Sequence, residues 1–154
     1  MQRSILLLAL VLLAPTLSAH DLKDASTELA GLYGKIQTSL AADSTDGVLE
    51  SAAKIAEAAE SYANHSADKA RYEEIAAAAK KIKGPGIEAL REESYDLGKL
   101  MAQLVLEFKV EGMGAYYCPM ADGYWAQTVG SLRNPYYGSS MLECGRKVEK
   151  VGAE

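Results

Sequence analysis

The chain has 154 residues, with 16 basic against 21 acidic side chains and a formal net charge of −5. An acidic protein without a basic cluster repels phosphate backbones, which excludes nucleic acid as an expected partner. The length suits one domain, and a chain of this size builds a core without needing a disulfide. Its two cysteines are therefore open to other uses.

The N-terminus has the three parts of a secretory signal peptide. Arg3 supplies a positive charge, residues 5–13 form an unbroken apolar run, and small and polar residues continue to Ala19. This run is too short to cross a bilayer as a helix, so we expect cleavage rather than a stable membrane anchor. The predicted cut follows Ala19, with Ser18 as the alternative. We therefore predict a signal peptide over residues 1–19 and a single periplasmic domain over residues 20–154.

Residues 20–112 have helical composition and spacing. The segment is rich in Ala, Leu, Glu and Lys, and its apolar residues recur at steps of three and four. Four amphipathic stripes result, running from Leu22 to Leu40, Leu49 to Tyr62, Tyr72 to Ile82 and Ile87 to Phe108, the last interrupted at Ser94. Short polar or glycine-containing breaks separate them, and short connections force neighbouring helices to run antiparallel. The predicted fold is all-α, an antiparallel up-down four-helix bundle.

Residues 113–154 differ sharply in composition from the helical part. They hold five of the nine tyrosines, the only tryptophan and both cysteines. Helical periodicity disappears, so we expect an irregular segment that packs on the bundle through its aromatic side chains. We expect the functional residues to lie in this segment.

Two short motifs in this segment pair a cysteine with a methionine. They are Cys118-Pro-Met120 and Met141-Leu-Glu-Cys144. Thiolate and thioether sulfurs are soft donors that favour Cu(I) over hard cations. Met141 and Cys144 would point the same way on one helical turn, whereas Cys118 and Met120 would do so only if the chain turns at Pro119. The four sulfurs form the predicted metal site, with Cu(I) as the expected ion and Ag(I) or Zn(II) as further candidates.

A disulfide between Cys118 and Cys144 is the competing interpretation, with both methionines as core filler. The oxidising compartment expected for an exported protein favours it. A bridge closing a loop of about 27 residues would stabilise the fold by roughly 3–4 kcal/mol. The two interpretations are compatible as an oxidised form and a reduced, metal-loaded form, and spacing alone does not decide between them.

Two stretches carry a family resemblance. They are Tyr117-Cys-Pro-Met-Ala-Asp-Gly-Tyr-Trp125 and Arg133-Asn-Pro-Tyr-Tyr-Gly-Ser-Ser-Met-Leu-Glu-Cys-Gly145. They resemble a family of exported domains of unknown function with CPMA, Gly-x-x-Trp, Asn-Pro-Tyr-Tyr-Gly and Met-Leu-x-Cys-Gly motifs. Members occur alone or fused to the C-terminal end of copper/silver efflux adaptor proteins of the CusB type. Weaker likeness covers residues 33–43 and 91–97.

The resemblance implies copper handling and a metal-efflux adaptor as partner, and it carries no catalytic activity over to this chain. It also implies that the ligands are Cys118, Met120, Met141 and Cys144. The chain departs from the family at Tyr117, where some members carry a histidine, and in a shorter spacer between Met120 and Trp125.

Three further residues are weaker candidates for the metal site. Trp125 would cover a Cu(I) ion by a cation–π contact, and Tyr117 directly precedes a candidate ligand. His20 would begin the mature chain, where a terminal amine and imidazole chelate copper, but that arrangement needs a second histidine and only His65 remains. Packing or a surface position is the simpler role for each of them.

Sequence signatures of common enzymes are missing from the chain. It contains no phosphate loop, HExxH, GxSxG or CxxC motif, and we predict that the protein is not an enzyme. The predicted function is periplasmic binding of a soft metal, which the protein buffers or passes to an efflux adaptor. An interaction module stapled by a disulfide is the alternative, and a copper enzyme built on His20 is a third hypothesis.

Overall fold

The computed structural model describes residues 19–152, and side chains from residue 21 onward. Over this range the helices are α1 (Ala19–Ala41), α2 (Val48–Ala63), α3 (Lys69–Lys81), α4 (Ile87–Glu93) and α5 (Tyr95–Glu107). The strands are β1 (Met113–Cys118), β2 (Gly123–Thr128) and β3 (Arg146–Val148), with a 3₁₀ turn at Gly138–Ser140 before β3. The predicted signal peptide lies outside the described residues except for Ala19, which begins α1.

The all-α prediction is wrong, because the C-terminal segment predicted to be irregular forms an antiparallel sheet of strand order β2-β1-β3. The fold is mixed α and β. Five consecutive residues of β1, from Gly114 to Cys118, are buried, so the strand lacks the alternation of polar and apolar residues that marks a half-exposed strand. Both faces of this strand are covered, and its period of two is invisible in the sequence.

The helical stripes predicted from the sequence correspond to α1, α2, α3 and the pair α4–α5. The fourth predicted helix, from Ile87 to Phe108, is two helices in the structure, so the four-helix prediction is wrong. They separate at Ser94, where the apolar spacing is interrupted and the Ser94 hydroxyl donates a hydrogen bond to the Arg91 carbonyl at 2.8 Å. One predicted core position is wrong: Leu49 is 49% exposed. The aliphatic core between the helices is made of small and branched residues, among them Leu29, Ile36, Ile55, Ile75, Leu97 and Leu104.

The sheet packs against α1 and α5, and Gly98 of α5 makes the close approach feasible. A Cβ atom at this position would lie 2.6 Å from the Tyr124 carbonyl oxygen and 2.9 Å from the Tyr33 hydroxyl oxygen. Tyr136 lies in the same joint, where its hydroxyl donates to the Tyr124 carbonyl. Only glycine fits here without moving buried neighbours.

Within residues 19–152, no helix combines the length and the apolar character needed to span a bilayer.

Candidate metal centre

The structure brings the two cysteines together at one end of the sheet. Their Sγ atoms lie 2.6 Å apart although the residues are separated by 26 positions in the chain. Cys118 ends the central strand β1 and is fully buried, while Cys144 is half-buried. Both are free thiols in this structure.

The strand register explains why these two sulfurs meet. β3 runs antiparallel to β1, with Tyr117 opposite Arg146. Continuing that register by one residue places Gly145 opposite Cys118. Cys144, the residue before Gly145, therefore lies at the same end of the sheet as Cys118. On the other side of β1 the pairing with β2 ends at Cys118 opposite Gly123, where the hairpin turn begins.

Asn134 fastens the segment that carries Cys144. The side chain is fully buried, and its Nδ2 donates to the Cys144 carbonyl at 2.8 Å. The backbone N–H of Asn134 donates to the Leu142 carbonyl at 2.7 Å, and its Oδ1 accepts the N–H of Tyr136 at 2.8 Å. The last bond is an Asx turn, which Asn before Pro favours. Sequence reasoning missed this supporting role, although the Asn-Pro pair was the signal for it.

Backbone N–H groups of the hairpin turn point at both sulfurs. The N–H of Ala121 lies 3.4 Å from Cys118 Sγ, and the N–H of Met120 hydrogen-bonds Cys144. Such donors favour a thiolate. The hydrogen bond between the two sulfurs and, after it, partial burial act in the opposite direction and raise the pKa of Cys144.

The two methionines belong to the turns that adjoin the cysteines. Met120 is 67% exposed in the hairpin turn, and its carbonyl accepts the Tyr137 hydroxyl at 3.0 Å. Met141 is half-buried. Met141 and Cys144 do not share a helical turn; they are the ends of a β-turn in which the Cys144 N–H donates to the Met141 carbonyl at 3.0 Å.

Trp125 and Tyr117 lie on opposite faces of the sheet. Trp125 is fully buried, stacks on Tyr116 with ring centroids 5.7 Å apart, and donates from Nε1 to Gln127 Oε1 at 2.9 Å. Tyr117 donates to Asp122 Oδ1 at 2.8 Å and lies under the Arg146 guanidinium at 5.6 Å. These contacts give both residues a packing role beside the cysteine pair.

His20 lies in the first turn of α1, and its side chain is outside the described part of the structure. His65 is exposed just after α2. Because the Tyr62 hydroxyl of α2 donates to Glu28 of α1, the start of α1 and the end of α2 share one end of the molecule. The copper-enzyme hypothesis stays a prediction.

Across the residues that the structure describes, no three side chains of His, Cys, Asp or Glu converge on one point. The candidate centre therefore consists of two thiols, with Met120 and Met141 two and three positions from them in the chain. No protein-family model, no curated protein sequence and no solved structure matches this chain. The resemblance to exported domains linked to copper efflux adaptors stays a prediction.

Proposed function

We propose that this is an exported protein that binds a soft metal ion, Cu(I), through the thiolates of Cys118 and Cys144 in their reduced state. The observation that supports the proposal is the meeting of two sulfurs from distant parts of the chain, 2.6 Å apart. Partial exposure of Cys144 leaves the pair open to an incoming ion. The signal-like N-terminus supports a periplasmic location, and the motif resemblance supports a metal-efflux adaptor as recipient.

The donor set favours Cu(I) among the candidate ions. Two thiolates with thioether sulfurs from Met120 and Met141 make a soft set, which suits Cu(I) and Ag(I). Zinc sites are almost always tetrahedral and use thiolate, imidazole or carboxylate ligands. A thioether is a poor substitute for these, so Zn(II) ranks below the monovalent ions.

Metal binding requires the two sulfurs to move apart. With metal–sulfur bonds of about 2.3 Å, two sulfurs on one ion lie about 3.8 Å apart in a tetrahedral site and about 4.6 Å apart in a linear one. Starting from 2.6 Å, the sulfurs must separate by roughly 1–2 Å. Cys118 is held in the central strand, so we expect the β-turn at Met141–Cys144 to shift outward.

A Cu(I) titration of the reduced protein against a competing chelator tests this proposal. We expect one ion per chain, and a loss of affinity of more than roughly 100-fold in Cys118→Ser/Cys144→Ser, because losing outer-shell partners alone costs 10–100-fold. Met113→Leu is the matched control, since Met113 begins β1 at the end opposite Cys118. Unchanged affinity in the double variant would refute the site.

A structural or interaction module with a Cys118–Cys144 disulfide is the second candidate. The sulfur separation of 2.6 Å supports it, because a disulfide needs only about 0.6 Å of further approach. Intact-mass measurement of the non-reduced protein shows whether the bridge forms. The free energy of unfolding should be roughly 3 kcal/mol higher for the oxidised protein than for the reduced protein. If the bridge resists mild thiol reductants and reduced protein binds no Cu(I), this second function replaces the first.

A further inference from the structure

The two sulfurs of the pair differ in how far solvent reaches them. Cys118 has no exposed surface and lies at the end of the central strand, opposite Gly123 of β2. Cys144 is half-buried and follows a β-turn whose Glu143 is exposed. An external molecule that approaches the pair therefore meets Cys144 first.

We propose that the pair exchanges with external disulfides and dithiols, with Cys144 as the sulfur that forms the mixed disulfide and Cys118 as the buried partner that closes the internal bond. This activity needs no metal and is separate from Cu(I) binding. The substrate class is a disulfide or dithiol of the extracytoplasmic compartment, carried by a small molecule or by a protein. For the proposed function, this exchange would make Cu(I) binding depend on the redox state of the pair, because an internal disulfide leaves no thiolate for the ion.

The oxidative direction proceeds in two balanced steps. The Cys144 thiolate attacks one sulfur of the external disulfide, which breaks that bond, forms a mixed disulfide and releases one external thiolate. The Cys118 thiolate then attacks Cys144 Sγ, forms the internal disulfide and releases the second external thiolate. Two electrons pass from the pair to the external disulfide, and the protons lost by the cysteines end on the released thiols. Reduction by an external dithiol is the reverse, with Cys118 leaving as the thiolate.

The hairpin turn supports this division of roles. The second step requires negative charge on a sulfur that is cut off from water, and the Ala121 N–H at 3.4 Å from Cys118 Sγ supplies a fixed donor to it. The 2.6 Å separation means that Cys118 attacks Cys144 with little chain movement. The Asn134 bond to the Cys144 carbonyl holds this half-buried residue next to Cys118.

Rates of mixed-disulfide formation in metal-free single variants test the proposal. Reduced Cys118→Ser and Cys144→Ser are incubated with oxidised glutathione, and the adduct is followed by mass spectrometry. We expect Cys118→Ser to capture glutathione at Cys144 roughly 10- to 100-fold faster than Cys144→Ser captures it at Cys118, because exposure controls thiol reactivity. In denaturant the two rates should become equal, which shows that the folded structure causes the difference.

A second variant and a second substrate complete the experiment. Cys118→Ala replaces the buried serine hydroxyl by an apolar group and should react like Cys118→Ser, with circular dichroism reporting the fold. A protein disulfide of the CxxC type in place of glutathione tells whether a bulky substrate reaches Cys144. Equal rates at the two cysteines in the folded variants, or faster capture at Cys118, would overturn the proposal. Since no metal is present, that result leaves the Cu(I) titration as a separate test.

Discussion

The helical region, residues 19–107, and the C-terminal region, residues 113–152, are stabilised by different kinds of contact. The helices bury mainly small and branched aliphatic side chains, together with Tyr33 and Tyr72, and their backbone hydrogen bonds join residues about four positions apart. The C-terminal region buries aromatic side chains and uses side-chain hydrogen bonds that reach far along the chain, up to 96 positions from Gln37 to the Arg133 carbonyl. The helical scaffold is therefore encoded by local sequence patterns, whereas the candidate site is assembled by tertiary contacts.

Two helix residues, Gln37 and Arg91, and Asp43 in the turn after α1 bind the loop that positions Cys144. Gln37 donates to the Arg133 carbonyl at 2.6 Å, Arg91 donates to the Pro135 carbonyl at 3.0 Å, and Asp43 accepts the Ser139 N–H at 3.0 Å. Between these anchors lies Asn134, whose side chain binds the Cys144 carbonyl. The helices therefore position the second sulfur although none of them contributes a sulfur to the pair.

Filling the contact between α5 and the sheet at Gly98 should have the largest effect on stability. In Gly98→Leu the new side chain must displace the Tyr124 carbonyl and the buried tyrosines, so we expect a loss of about 3 kcal/mol or more in unfolding free energy. Urea denaturation measures it. Gly34→Ala in α1 is the control, because its Cβ meets nothing within 4 Å and helix propensity predicts a gain of up to about 1 kcal/mol. Equal effects of the two substitutions would mean that the joint is not tightly packed.

Removing the arginine that links the regions should have an intermediate effect. Arg91 is 8% exposed and donates to the Leu40 and Pro135 carbonyls as well as to Asp43. Arg91→Met takes the side-chain donor away from the buried Pro135 carbonyl and leaves the Leu40 carbonyl with the Asp43 N–H alone. We therefore expect a loss of about 2 kcal/mol, measured by urea denaturation, and weaker Cu(I) binding by reduced protein.

Lys80→Met is the matched control for that substitution. Lys80 pairs with Glu60 on the surface, where both side chains are more than half exposed. Such a pair contributes less than about 1 kcal/mol. If Arg91→Met unfolds at the same urea concentration as Lys80→Met, the anchoring role assigned to Arg91 is wrong.

Acid should weaken the contacts of Asp43 with Arg91 and Ser139 within a defined pH range. Hydrogen bonds from Ser139 and then Arg91 lower the pKa of Asp43 from its usual 3.8 to about 2. A carboxylate with a lowered folded pKa stabilises the fold above its unfolded pKa, and this contribution disappears as the pH falls from about 4 to about 2. Thermal melts over this range should show the wild type losing more stability than Asp43→Asn. Asparagine also tolerates the positive φ of 56° at this position. Parallel pH curves would contradict the assignment.

The sequence predicts the helical region well and the C-terminal region poorly, for physical reasons. Amphipathic spacing marks α1 to α5 because one face of each helix is exposed. β1 is buried on both faces, so its residues carry no alternating pattern and its strand pairing is invisible. The sulfur-containing motifs were evident as motifs, but the meeting of Cys118 with Cys144 depends on the register of β3, which no local signal fixes. The role of Arg91 was hidden for the same reason, since its acceptors lie 44 and 51 positions away.

X-ray absorption spectroscopy of the reduced protein loaded with one Cu(I) shows which atoms bind the ion. We expect a first shell of sulfur atoms in the wild type, and a shell that loses sulfur in Cys118→Ser and in Cys144→Ser alike, because each thiol supplies one ligand to the same ion. A first shell of nitrogen or oxygen atoms, or one that survives both substitutions unchanged, would contradict it.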